Sequence, residues 1–177
     1  HSSFLSKYKY LNKSYNLNNL DSKLILNHYK NNLNKYIVSK SPHFLNINVL
    51  KEELIYLIFL SIHLNLISQP NGSRLWSILC KNILSKIINF NLVKFFNTNL
   101  NNFYFIIGMG KIGVKDLNFA SDIDLIVFYD SNKSPISVID FNKAIKKIIS
   151  DISNVSETFF HRIDLRLRPD FGNSLLI

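Results

Sequence analysis

At 177 residues, with 47% hydrophobic and 19% charged residues, the chain has the composition of a folded protein with a real core, which excludes a disordered tail. Its single cysteine, Cys80, excludes an internal disulfide framework and suits a reducing compartment such as the cytoplasm. The net charge of +9 raises nucleic acid as a partner, but the excess lies within residues 1–100 (12 basic, 3 acidic), scattered among Asn, Ile and Leu, so that a polyanion-binding stripe is not expected.

The chain opens at His1 rather than methionine and stops at Ile177 just past a turn, which reads as a fragment. Residues 1 to about 45 are polar and Asn-rich with weak helical periodicity, ending near Ser41-Pro42. From Asn48 to about Ile67 the pattern predicts an apolar helix, with Glu52 and Glu53 in its first turn. Its longest apolar stretch is too short for a membrane span and carries His63 and Asn65, so it predicts a buried helix. Ser68 to Gly72, SQPNG, reads as a turn, and Ser73 to Phe96 as a second, antiparallel helix with Trp76 and Cys80 in the core. After the polar linker Asn97–Asn102 come a short strand (Phe103–Ile107), a glycine-rich turn (Gly108–Gly113) with a brief helix, and a strand from Asp122 to Tyr129. Ser134-Pro135 is expected to open a helix running to Ser153, with Ile136, Ile139, Ala144, Ile145 and Ile148 as its apolar stripe. A third strand is expected from Phe159 to Arg168, stopped by Pro169. The reading is α+β: a helical module over 1–100, then a mixed-sheet core over 101–177 that is incomplete at its C-terminus.

The chemistry lies in that second part. Side chains alternate along a strand, so Asp122 and Asp124 share one face, about 6.6 Å apart, while Ile123, Leu125, Val127 and Tyr129 turn to the core. On the third strand Arg162, Asp164, Arg166 and Arg168 share a face in the same way. If that strand lies beside the first, Asp164 becomes a third carboxylate on one surface. Crowded carboxylates repel unless cations lie between them, and Mg²⁺ suits such all-oxygen ligation. Two ions about 3.5–4 Å apart would fit. Glycines at 108, 110 and 113 let backbone amides approach a phosphate, with Lys111 as an added point charge. Taken singly, an Asp-x-Asp pair, a Gly-x-Gly turn or an Arg/Asp alternation is common on solvated strands. Their order is not: strand, glycine turn, eleven residues from Gly110 to Asp-x-Asp, then a later strand bearing Asp. That order is the signature of the nucleotidyltransferase (polymerase β-like) fold.

GMGKIGVKDLNFASDIDLIVFYD (108–130) followed by DLRLRPDFGNSLLI (164–177) resembles the bifunctional glutamine synthetase adenylyltransferase/adenylyl-removing family. The likeness covers residues 107–129 and 162–176, about a fifth of the chain. Ala120 stands for the first serine of the usual Ser-Ser-Asp, Asp116 for glutamate, and Val114 and Lys115 for a Gly-rich step after Gly113. The resemblance implies Asp122, Asp124 and Asp164 as catalytic ligands of two Mg²⁺ ions, Gly108, Gly110, Lys111 and Ser121 as phosphate holders, and Arg166 and Arg168 steadying nucleotide or phosphate. ATP or ADP would be the nucleotide and glutamine synthetase the protein partner. A small nitrogen-signalling protein is a further partner of the family. The motifs are more like the domain that removes AMP by phosphorolysis than the one that adds it from ATP. A reading from another class is a non-catalytic basic helical module binding nucleic acid or protein, indifferent to Mg²⁺.

Overall fold

The computed structural model describes residues 20–37, 44–154 and 162–165. The chain divides into two compact units, residues 1–76 and 77–177, and the division falls within a long helix.

In the first unit, α1 spans Ser22–Ile37, α2 Phe44–His63, and α3 Gln69–Phe96 begins there. Asp21 caps α1, its carboxylate accepting from the Leu24 amide at 2.8 Å. The core collects Leu20, Ile25 and Tyr29 with Leu50, Leu54, Leu57 and Ile58 of α2 and Trp76 of α3, all buried. Each such side chain contributes about 1.5–3 kcal/mol on removal from water. The expected position of the two glutamates is corrected: α2 starts at Phe44, four residues before the expected start, and has no acid in its first turn. Glu53 is instead buried in mid-helix, with Oε2 2.9 Å from Nε2 of the equally buried His28 of α1. That contact gives the carboxylate a polar partner in an apolar setting.

α2 also ends sooner than expected. Asn65, at φ 56, supplies a left-handed turn, and the Leu66 amide returns to the Ser61 carbonyl at 2.9 Å. SQPNG is not a free turn but the cap and first turn of α3. The Ser68 hydroxyl accepts from the Asn71 amide at 3.4 Å, and proline is tolerated there because first-turn amides have no intrahelical partner. Gly72 lies against α2, where a Cβ would stand 2.5 Å from Cδ1 of Ile62.

In the second unit, β1 (Tyr104–Gly108), α4 (Gly110–Gly113), β2 (Ile123–Tyr129), α5 (Val138–Asn154) and β3 (Ile163–Asp164) follow the remainder of α3. The sheet order is β1-β2-β3, antiparallel between β1 and β2 and parallel between β2 and β3. The fold is thus α+β, with helices preceding a small mixed sheet. Ile123, Leu125, Val127 and Tyr129 are buried, as their alternation predicts. Phe141 of α5 stacks on Tyr129, ring centroids 3.9 Å apart, and meets Tyr104 at 5.7 Å. Such aromatic pairs add about 0.5–1.5 kcal/mol beyond their buried area. Cys80 is fully buried in α3.

α5 starts at Val138, not at Ser134-Pro135. Ser137 and Asp140 form a reciprocal cap: the Ser137 hydroxyl accepts from the Asp140 amide at 3.1 Å and donates to its carboxylate at 2.7 Å. The preceding segment is held elsewhere, the Tyr129 hydroxyl donating to the Ile136 carbonyl at 2.6 Å. In this phase Phe141, Ala144, Ile145, Ile148, Ile149 and Ile152 are buried, and Ile139, expected in the stripe, is exposed. Of the expected third strand, Ile163 and Asp164 pair with β2; residues 155–161 and 166–177 lie outside the described residues. No helix among the described residues is long and apolar enough to cross a membrane.

Candidate active site

Asp124 occupies the second position of β2, on the face opposite the buried residues, and is half-buried. Asp122 precedes the strand on the same face and is exposed. Asp164 of β3 is the direct neighbour of Asp124 in the parallel pairing, and the ladder is anchored by the Ile123 amide donating to the Arg162 carbonyl at 2.9 Å. One sheet face therefore carries all three aspartates. Carboxylates directly opposite on adjacent strands repel one another. Arg162, read in the sequence only as part of an alternation, offsets some of that: its Nη2 lies 3.6 Å from Oδ2 of Asp164. Its guanidinium is largely exposed, so the screened pair is weak.

The glycine turn is built against these carboxylates. Gly108 ends β1, and the Met109 amide continues the pairing to the Asp124 carbonyl at 2.8 Å. Gly110 begins α4 at φ 52, and a Cβ there would stand 2.7 Å from Oδ2 of Asp124. Only a glycine meets both demands, the left-handed backbone and the close approach to a carboxylate. Gly113 lies where a Cβ would come 2.5 Å from the Gly108 carbonyl oxygen. Lys111 is exposed on α4. Past α4 the loop is tied to α3 by the Leu117 amide donating to the Ser77 hydroxyl at 2.9 Å, a link with no signal in the sequence.

Ser121 stands just before Asp122. Its side chain is buried and its hydroxyl has no hydrogen-bond partner. An unmatched buried hydroxyl costs about 1–3 kcal/mol. Among the described residues, no three carboxylate, imidazole or thiol side chains converge on a single metal position. Mg²⁺ needs only one or two protein carboxylates when waters and substrate phosphates complete its shell. The all-oxygen donors and the close approach that Gly110 allows beside Asp124 fit that ion. Arg166 and Arg168 lie outside the described residues, so the structure places Asp122, Asp124, Asp164, Gly108, Gly110, Lys111 and Ser121 of the expected set.

A family model described as glutamate-ammonia ligase adenylyltransferase matches residues 11–177. The chain is also similar to proteins named bifunctional glutamine synthetase adenylyltransferase/adenylyl-removing enzyme. It is 38% identical to that of Brucella suis biovar 1 over 79 residues. It is 40% identical to that of Rhizobium meliloti and 43% identical to that of Bartonella quintana, each over 77 residues. These alignments cover 40–41% of this chain and 8% of each relative's length.

Proposed function

Since this chain belongs to the glutamate-ammonia ligase adenylyltransferase family, we propose that its carboxylate face removes AMP from an adenylylated tyrosine of glutamine synthetase by phosphorolysis. The observation that carries this reading is the pairing of Asp124 with Asp164 on adjacent parallel strands, with Asp122 on the same face and Gly110 against Asp124. Asp122, Asp124 and Asp164 would hold Mg²⁺, which when bound neutralises charge building on the transferred phosphoryl group. The Ser121 hydroxyl would donate to a phosphate oxygen, which gives it the partner that it lacks in the structure. Lys111, exposed beside the turn, would draw inorganic phosphate toward the same face. An oxygen of that phosphate attacks the α-phosphorus of the tyrosine-bound AMP. The bond from phosphorus to the tyrosine oxygen breaks, ADP leaves, and the phenolate takes up a proton.

The test is release of ADP from adenylylated glutamine synthetase in the presence of phosphate and Mg²⁺. Asp122→Asn and Asp124→Asn are expected to lower the rate by on the order of a hundredfold or more while circular dichroism stays unchanged. Full activity in either folded variant rejects the assignment. Pyrophosphate release from ATP with unmodified glutamine synthetase, in place of ADP release, would assign the opposite direction to the same face.

A further inference from the structure

We propose that a groove along the outer edge of β1 docks an extended, acidic segment of a partner polypeptide. β1 is the edge strand of the sheet among the described residues. The Met109 amide bonded to the Asp124 carbonyl and the Asp130 amide bonded to the Phe103 carbonyl set the phase of its pairing. Phe103, Phe105, Ile107 and Met109 therefore turn their peptide groups toward β2, and Tyr104 and Ile106 turn theirs outward. Along that edge runs a cavity of about 650 Å³, bounded on its other side by α3 from Ser77 to Asn89 and closed at one end by Ile112, Gly113 and Lys115.

Three features of the cavity choose its occupant. Lys81, Lys86 and Lys115 line it, and no acidic residue among the described residues does. Second, the Asn89 side-chain oxygen is buried and has no hydrogen-bond partner, which leaves an acceptor waiting for an N–H. Third, Ile78, Leu84 and Ile88 line the same cavity, giving apolar contact between the charges. An added strand satisfies all three: its backbone pairs with Tyr104 and Ile106, one of its amides reaches Asn89, and alternate side chains meet lysine and isoleucine. Lysines on an edge strand often guard it against pairing. Here β1 itself carries no charge over Tyr104–Gly108, and the lysines belong to the facing helix and the turn.

Lys115 adds a second sign of use. It holds φ 61, a conformation that side chains rarely adopt, so its charge is kept at the groove at a backbone cost. The groove shares Gly108 and Gly113 with the glycine turn but is lined by none of the three aspartates, and the inference does not depend on the proposed reaction.

The experiment is a fluorescence-anisotropy titration of the 177-residue chain into a labelled peptide of alternating glutamate and valine. Saturable binding that weakens with salt is expected, at least about tenfold weaker for the Lys81→Glu/Lys86→Glu variant. The Lys115→Gly variant, which relieves the left-handed strain and so stays folded, is expected to bind more weakly as well. A peptide N-methylated at alternate backbone positions is expected not to bind, since strand pairing needs its amides. Absence of binding by the unmodified peptide overturns the proposal. So does equal binding of a lysine–valine peptide, or of the N-methylated one. Preferential binding of single-stranded oligouridylate would assign the lysines to nucleic acid and overturn it too.

Discussion

Gly110 joins the turn to the carboxylates at a single close approach, the place a Cβ would take lying 2.7 Å from Oδ2 of Asp124. In Gly110→Ala the short aspartate side chain has to turn aside, and the residue takes on left-handed strain of about 1–2 kcal/mol. The expected result is a modest fall in stability, read by urea denaturation, with a much larger fall in turnover. Equal losses in both, or none in turnover, would separate the turn from the site. The glycines were visible in the sequence as a motif, but their separate reasons were not. Gly113 is required by the Gly108 carbonyl and Gly110 by a carboxylate fourteen positions further along the chain. Ser121 is similar: its place before Asp-x-Asp could be read, but its burial without a partner could not.

At the scale of elements, the cap of α5 decides where that helix points its apolar residues. Ser137→Ala removes the acceptor for the Asp140 amide and is expected to cost about 1 kcal/mol, measurable as a lower urea midpoint with unchanged slope. An unchanged midpoint would mean that Tyr129 and its hold on Ile136 set the start of the helix without help from the cap. β1 and β2 were legible to within a residue at each end, and alternation over β2 is strict and local. Helix starts were less so. Pro70 within the first turn of α3 and the apolar start of α2 each look like something else in isolation, and packing selects among the alternatives.

For the molecule as a whole, buried ionisable groups link stability to pH. Burial pushes the Tyr29 hydroxyl up to about 12 from an ordinary value of 10.0. Between those values the folded state keeps the proton and the unfolded chain has lost it. Stability therefore holds below pH 10, falls as pH rises toward 12, and has lost this contribution above that. Thermal melts from pH 9 to about 12 are expected to fall less steeply in Tyr29→Phe than in the natural chain. Parallel curves for the two would place the alkaline transition elsewhere, Tyr104 being also raised by burial.

By itself the sequence determined which residues share a face. A period of two in β2 puts Asp122 and Asp124 together and sends Ile123, Leu125, Val127 and Tyr129 to the core, since side-chain direction in a strand follows from the local backbone alone. It also carried the motif order by which the chain resembles its family. Tertiary structure alone decided that Asp164 stands beside Asp124. Parallel strands can be joined only through a long crossover, here containing α5, and the thirty-nine residues between the two aspartates hold no local signal of which strand the chain will meet. The same holds for the His28–Glu53 contact and for the groove on β1, because each depends on which surfaces remain when distant segments pack.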